Sequence, residues 1–490
     1  MKSGRVIGGD EHDATNAARA ILDQAQRDAA QLRSDAEHAA HREAQQILAA
    51  ARTQLDQLNA RIAAARVTAA TAPGDGACGT VDEVVGLIAR ATVPGVALGE
   101  VVRIQRRDGA MVLAEVVGFR SEQAVLVPLG ELAGVAAASA VFRTGEPLGF
   151  RCGEGLLGRV IDGTGMPIDD GPDIEGEQWA VDRRAPAALG RPAMTAAQPS
   201  GVRAIDSMLT LGRGQRVGLF AAAGVGKSTL LGQIARGAAA DVIVLCLVGE
   251  RGRELRELLS GELAAARSRC VVVCATSDEP PLLRVRAAQV ATAVAEWFRD
   301  RRGASVLLLC DSLTRVARAQ REVGLSAGEP VARHGYPPSA FALLPRLIER
   351  TGATSTGAIT AIYTVLVAGN DLDEPIADEV RGLVDGHIVL DRQLAQRGHF
   401  PPIDVVASAS RVMRRVIDDR HAAAAARARA HLATLEEHRD LIAVGAYQPG
   451  RNPAVDAAIA LQPRLDRLLR QRIDEVVELD ASIRDLLAIG

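Results

Sequence analysis

The run Val217-Gly-Leu-Phe-Ala-Ala-Ala-Gly-Val-Gly-Lys-Ser-Thr-Leu-Leu carries residue types and spacing suited to gripping phosphate. An apolar strand ends at Phe220, and a helical pattern resumes through Leu230, Leu231 and Ile234. The glycines between them let successive backbone N–H groups turn inward as an anion-binding nest at a helix N-terminus, whose dipole favours negative charge. Lys227 is placed to reach the β- and γ-phosphates, and the Ser228 hydroxyl to ligate Mg²⁺. Ala221, Ala222, Ala223, Gly224, Val225, Gly226, Lys227, Ser228 and Thr229 are therefore expected to hold ATP. Ala221 stands where the strict pattern has Gly, and the strand–loop–helix context restores the specificity lost.

A phosphate cradle needs further parts on neighbouring strands. Val306-Leu-Leu-Leu-Cys-Asp311 is an apolar strand ending in a carboxylate, and Asp311 is expected to hold Mg²⁺ through its water shell. Strands also end in a turn-forming Asp for local reasons, and it is the company of Lys227 that favours the metal role. Val242 to Val248 is a second such strand, running into Gly249-Glu250-Arg251-Gly252-Arg253-Glu254. Glu250 at its carboxyl end is a candidate to activate the attacking water, and Arg251 to meet the γ-phosphate. A solvated helix start with capping charges explains the same spacing equally well.

These parts need a sheet to position them. Val217-Gly-Leu-Phe, Val242 to Val248, Cys270-Val-Val-Val-Cys, Val306 to Cys310 and Ala358-Ile-Thr-Ala-Ile-Tyr-Thr-Val are near-continuous apolar strands alternating with helical segments. That texture predicts an α/β core with a parallel sheet buried on both faces, over residues 176–415. Before it, residues 76–175 form short β-type runs punctuated by glycine, as in a small barrel. Residues 416–490 read as a helical, charged third unit. Residues 1–75 differ from all of these. Ala18, Leu22, Ala25, Ala29, Leu32 and Ala36 recur at alternating spacings of four and three, and Ala44, Ile47, Ala51, Leu55, Leu58 and Ile62 resume the pattern after a slip. A narrow Ala-rich seam on a long helix is expected there, closing at a linker with Pro73-Gly74-Asp75-Gly76.

Composition narrows the functions such a core could serve. The formal net charge of −3 recruits neither nucleic acid nor anionic lipid. Aromatic residues form 2% of the chain, poor stock for stacking unpaired bases. Of the six cysteines, Cys270 and Cys274 face one way on a strand, yet no second Cys/His pair completes a metal shell. All six are expected to be reduced core residues. No run of signal-peptide or membrane-spanning length is present, so a cytoplasmic protein is expected, held at a membrane only by partners.

Taken together these residues resemble the ATPases of type III secretion systems, injectisome and flagellar, which are relatives of the rotary ATP synthase catalytic subunits. The resemblance runs from about residue 85 to 490. It rests on Gly153-Glu-Gly-Leu-Leu-Gly-Arg-Val-Ile-Asp-Gly, Leu247-Val-Gly-Glu-Arg-Gly-Arg-Glu, Asp311-Ser-Leu-Thr-Arg, Gly335-Tyr-Pro-Pro-Ser, Glu379-Val-Arg-Gly-Leu-Val-Asp-Gly-His-Ile-Val-Leu and Ser410-Arg-Val-Met. It implies an N-terminal β-barrel, a RecA-like P-loop ATPase core, a C-terminal helical domain and a homo-hexamer with nucleotide sites between neighbours. It places Glu250 on the family's catalytic glutamate and Arg411 on the arginine offered to a neighbour's γ-phosphate. The residues alone would make Arg411 part of a basic helix start. Stator and central stalk proteins, chaperone–cargo complexes and the cytoplasmic face of the inner membrane follow as implied surroundings.

The triple-Ala loop resembles the injectisome branch, where flagellar members more often carry Ala-Gly-Ser-Gly. Residues 1–75 depart from the family's usually short arm and resemble the helical part of its stator proteins. A rotary ATP synthase-like subunit is one rival reading. A nucleic-acid translocase is another, and it would need a basic or aromatic module that residues 81–175 lack.

Overall fold

The computed structural model describes residues 78–489 except Glu262, Gly369 and Asn370, together with Gln24 and Gln31, both helical and exposed. The chain divides into two compact units, 1–74 and 75–490. The Ala-rich seam expected over residues 1–75 otherwise lies outside the described residues.

The second unit begins with six strands: β1 (Cys78–Val85), β2 (Ile88–Thr92), β3 (Glu100–Gln105), β4 (Met111–Arg120), β5 (Gln123–Pro128) and β6 (Ala140–Pro147). They close into a barrel in the order β1-β2-β5-β4-β3-β6, every neighbouring pair antiparallel. Closure removes the exposed sheet edges. Alternate residues point inward, so Ala91, Val102, Ile104, Ala114, Leu126 and Val141 fill the interior and are almost wholly buried.

Short ribbons join barrel to core: β7 (Gly149–Cys152) pairs with β9 (Glu177–Ala180), and β10 (Ala197–Gln198) with β11 (Leu211–Gly212). The core sheet holds β8 (Val160–Ile161), β12 (Arg216–Ala221), β13 (Val242–Val248), β14 (Cys270–Ala275), β15 (Ser305–Asp311), β17 (Ala358–Leu366), β18 (Gly386–Leu390) and β19 (Ile403–Ser410). Their order is β19-β18-β12-β17-β15-β13-β14-β8, and the short β16 (Gly352–Ala353) pairs with β17. The strands from β18 through β8 run parallel, whereas β19 turns back antiparallel on β18. β8 lies within the 76–175 span yet belongs to this sheet, because its two apolar residues cover the β14 edge.

The apolar runs are continuous because both sheet faces are covered, as parallel sheets require. One face carries Cys246, Val273, Leu308 and Tyr363 against the Pro281–Arg302 and Leu313–Ala327 helices. The other carries Leu219, Leu245, Val272 and Ile362 against the Lys227–Gly237 helix, and the C-terminal helices add Ala424, Ala428, Leu465 and Leu486 to the same cluster. A buried ion pair ties barrel to core: Arg286 Nε donates to Glu115 Oε2 at 2.8 Å, both side chains 7% exposed. Among the described residues, no helix is long and apolar enough to cross a membrane. Cys152, Cys246, Cys270, Cys274 and Cys310 are free and buried, and burial pushes the Cys270 and Cys274 thiols up to about 11.

Candidate active site

Parallel register brings the carboxyl ends of the central strands together. Ala221 pairs with Leu366, Cys310 with Tyr363, and Leu247 with Asp311. Beyond Ala221 the backbone turns through Gly224 (φ +77°) and Gly226 (φ +101°) into the Lys227–Gly237 helix. A Cβ on either glycine would meet nothing within 4 Å, so glycine is needed here for its backbone angle rather than for space. No side chain caps this helix, leaving its first N–H groups without a side-chain acceptor, the condition under which a helix start can receive an anion.

Across the loop, the Lys227 ammonium bonds Asp311 Oδ1 and lies 3.8 Å from Glu250 Oε1. Arg315 Nη2 reaches the same Glu250 oxygen at 3.0 Å. The Glu250 turn is pinned by backbone bonds: Gly249 N donates to Ala275 O at 2.7 Å and Ser277 N to Glu250 O at 3.1 Å. Two cations and two carboxylates thus crowd one strand-end cluster. Burial, a hydrogen bond with Glu254 and the Asp311 charge push the Glu250 carboxyl up to about 7, against the opposing pull of Lys227 and Arg315. That is the range in which a carboxylate works as a general base near neutrality.

An open cleft of about 720 Å³ is lined by Ala222, Ala223, Gly224, Gly226, Lys227, Ser228 and Thr229, and also by Glu250, Arg251 and Arg315. Ala221 and Val225 are buried beneath it. The donors fit magnesium: Asp311 and Ser228 line one cavity and offer hard oxygens. Among the described residues no cluster of three potential ligands exists. A cation there would complete its shell from phosphate and water oxygens, as Mg²⁺ usually does.

Arg411 stands elsewhere. It follows Ser410, which pairs with Gly386, and Gly386 pairs with Val217 at the start of β12. From Val217 to Ala221 is roughly 13 Å of strand, so Arg411 sits toward the opposite end of the sheet from its own loop. It is exposed, with Nη1 donating to Val384 O at 3.4 Å.

Two participants were not singled out from the sequence. Arg315 lies four residues after Asp311, a helical spacing that a search around the carboxylate would have reached. Thr364 donates from Oγ1 to Asp311 Oδ1 at 2.8 Å. Its only signal is a hydroxyl near the end of a largely apolar strand, one it shares with Thr360 and Tyr363.

Comparison with known proteins matches three family models in order. Residues 81–145 match the ATP synthase alpha/beta family beta-barrel domain, and residues 201–410 that family's nucleotide-binding domain. Residues 417–488 match the T3SS EscN ATPase C-terminal domain. The flagellum-specific ATP synthase of Bacillus subtilis is 48% identical over 415 residues, covering 84% of this chain and 94% of its own length. The type 3 secretion system ATPase of Xanthomonas euvesicatoria is 47% identical over 414 residues, covering 84% and 93%. The assembled ATPase EscN of the enteropathogenic E. coli type III secretion system superposes with a TM-score of 0.80 at 42% identity, over 84% of this chain and 99% of that one.

Proposed function

The chain belongs to the type III secretion ATPases of the ATP synthase alpha/beta family and is an ATPase, and from that premise we propose a hexameric motor that energises protein export through an injectisome. The supporting observation is the convergence of Lys227, Glu250 and Asp311 at the carboxyl ends of adjoining strands beside an uncapped helix start. In this reading residues 221–229 hold the triphosphate of ATP, with Lys227 leaving its carboxylates for the β- and γ-phosphates. Ser228 and Asp311 hold Mg²⁺. When bound, the metal neutralises charge developing on the phosphate oxygens. Glu250 takes the proton of the attacking water, Arg315 favours its ionised form, and Arg251 approaches the γ-phosphate from the cleft wall.

Arg411, too far from its own loop, acts on the site of the next subunit in the ring. An arginine supplied in trans typically gives about 10³–10⁵ in rate. Opening and closing of successive interfaces reaches the helical domain 416–490, which releases and unfolds chaperone-bound cargo. Within the expected barrel span 76–175 the barrel strands run from Cys78 to Pro147 and β8 joins the core sheet, and residues 176–415 supply the rest of the catalytic core. Residues 1–75 have a stator-like role in the same chain as the motor. A central stalk partner is supported by a related structure, that of the assembled ATPase EscN in complex with its central stalk EscO. The enzyme works at the cytoplasmic face of the inner membrane, held there by partners. Flagellar export is the second reading, favoured by the flagellum-specific relative.

Turnover of wild type, Lys227→Ala and Glu250→Gln across protein concentrations tests the reading. Specific activity of wild type rises steeply with concentration and both variants stay inactive throughout. Concentration-independent wild-type activity would overturn the shared site.

A further inference from the structure

We propose that Thr364 is a positioning residue for Asp311, the donor that keeps this carboxylate in place once Lys227 has turned to the nucleotide. This rests on the assignment of Asp311 to the metal. Asp311 Oδ1 accepts from two donors, the Lys227 ammonium and the Thr364 hydroxyl. Lys227 is one cation with competing partners: Asp311, Glu250 at 3.8 Å, and any phosphate held by the loop. A triphosphate carries more charge than either carboxylate and sits at the helix N-terminus, so its arrival draws the ammonium away from Asp311. A buried carboxylate that loses a donor must find another or reorient, since an unsatisfied charged acceptor is costly.

Thr364 is built to be that second donor. It is fully buried, one strand from the loop, with Leu219 of β12 on one side. The Cys310–Tyr363 pairing brings the next residues, Asp311 and Thr364, side by side on the other. Its β-branched side chain is stiff at χ1, which fixes the hydroxyl direction. Two residues on, Leu366 N donates to Thr314 Oγ1 at 2.9 Å, locking the end of β17 to the helix that follows Asp311. The hydroxyl is neutral, so phosphate does not compete for it as it does for the lysine. One Asp311 oxygen therefore stays tethered through the cycle while the other remains free for the cation's water shell.

Thr364→Val removes the donor and keeps the shape, and Thr364→Ser keeps the donor. The full chain is titrated with Mg²⁺ in the presence of a fluorescent ATP analogue, beside binding in excess chelator. Valine leaves metal-free nucleotide binding at the wild-type level and raises half-saturating Mg²⁺ by about tenfold, the equivalent of one hydrogen bond to a charged group. Serine restores wild-type titration. A valine variant that titrates like wild type overturns the proposal, as does one that loses metal-free and metal-dependent binding equally. If the valine protein does not fold, Thr364→Ala is read the same way. Wild-type binding insensitive to Mg²⁺ would instead overturn the metal role of Asp311, a result separable from failure at Thr364.

Discussion

As the proposed general base, Glu250 would set the working pH of the site. With the Glu250 carboxyl pushed up to about 7, its ionised form, the one proposed to activate water, is lost as pH falls through that value. With Glu250 as the base, kcat/KM, which reports the nucleotide-free site, falls below about pH 7 and levels above it in a pH–rate profile. Arg315 favours the ionised form, so Arg315→Met raises the Glu250 pKa further and moves the acid limb to higher pH. An unmoved limb would remove Arg315 from the site's electrostatics. Glu250→Gln keeps the side chain's size and removes the base, and kcat falls by about 10²–10⁴ while nucleotide binding persists. At this scale the sequence was informative wherever the chemistry is local. The loop from Ala221 to Ser228 announces itself because its glycines, lysine and serine fall within the five residues Gly224 to Ser228. Thr364 was silent because its meaning depends on which strand lies beside β15, a long-range fact that no local pattern encodes.

Elements hold these groups through backbone angle and buried charge. Gly226 at φ +101° admits a side chain sterically but not conformationally. Gly226→Ala costs about 1–2 kcal/mol at that angle and weakens ATP binding by about tenfold, measurable by fluorescent-nucleotide titration. The Glu115–Arg286 pair fastens barrel strand β4 to the Pro281–Arg302 helix. Asp182, well exposed, holds only one further arm of that guanidinium at 3.1 Å. Glu115→Ala leaves the buried guanidinium only Asp182 and Gln289 as partners and lowers stability by up to about 3–5 kcal/mol, seen as an earlier thermal transition. Glu115→Leu combined with Arg286→Met recovers most of the loss, since the only charge left without its partner is the exposed Asp182. The core strands were legible because burial on both faces writes continuous apolar runs. The two residues of β8 were not, being too short to carry a period and placed only by pairing with β14.

At the scale of the whole molecule, Arg411 gives the clearest consequence. Its position in Ser-Arg-Val-Met suggested a role by resemblance. Only the antiparallel return of β19 on β18 reveals how far it stands from its own loop. If it completes a neighbour's site, Glu250→Gln and Arg411→Ala proteins are each inactive alone but regain turnover when co-assembled. In the mixed ring some interfaces pair an intact Glu250 with an intact Arg411. Mixed rings without activity would contradict the shared site. The proposed motor depends on Lys227 and its loop gripping a magnesium-bound triphosphate. Calorimetric titration of ATP into the full chain, with and without Mg²⁺, measures that grip for wild type and Lys227→Ala. The account predicts metal-dependent binding by wild type and at least about a hundredfold loss in the variant, from the removal of a charged contact to phosphate. A folded Lys227→Ala protein that binds as tightly as wild type would contradict it.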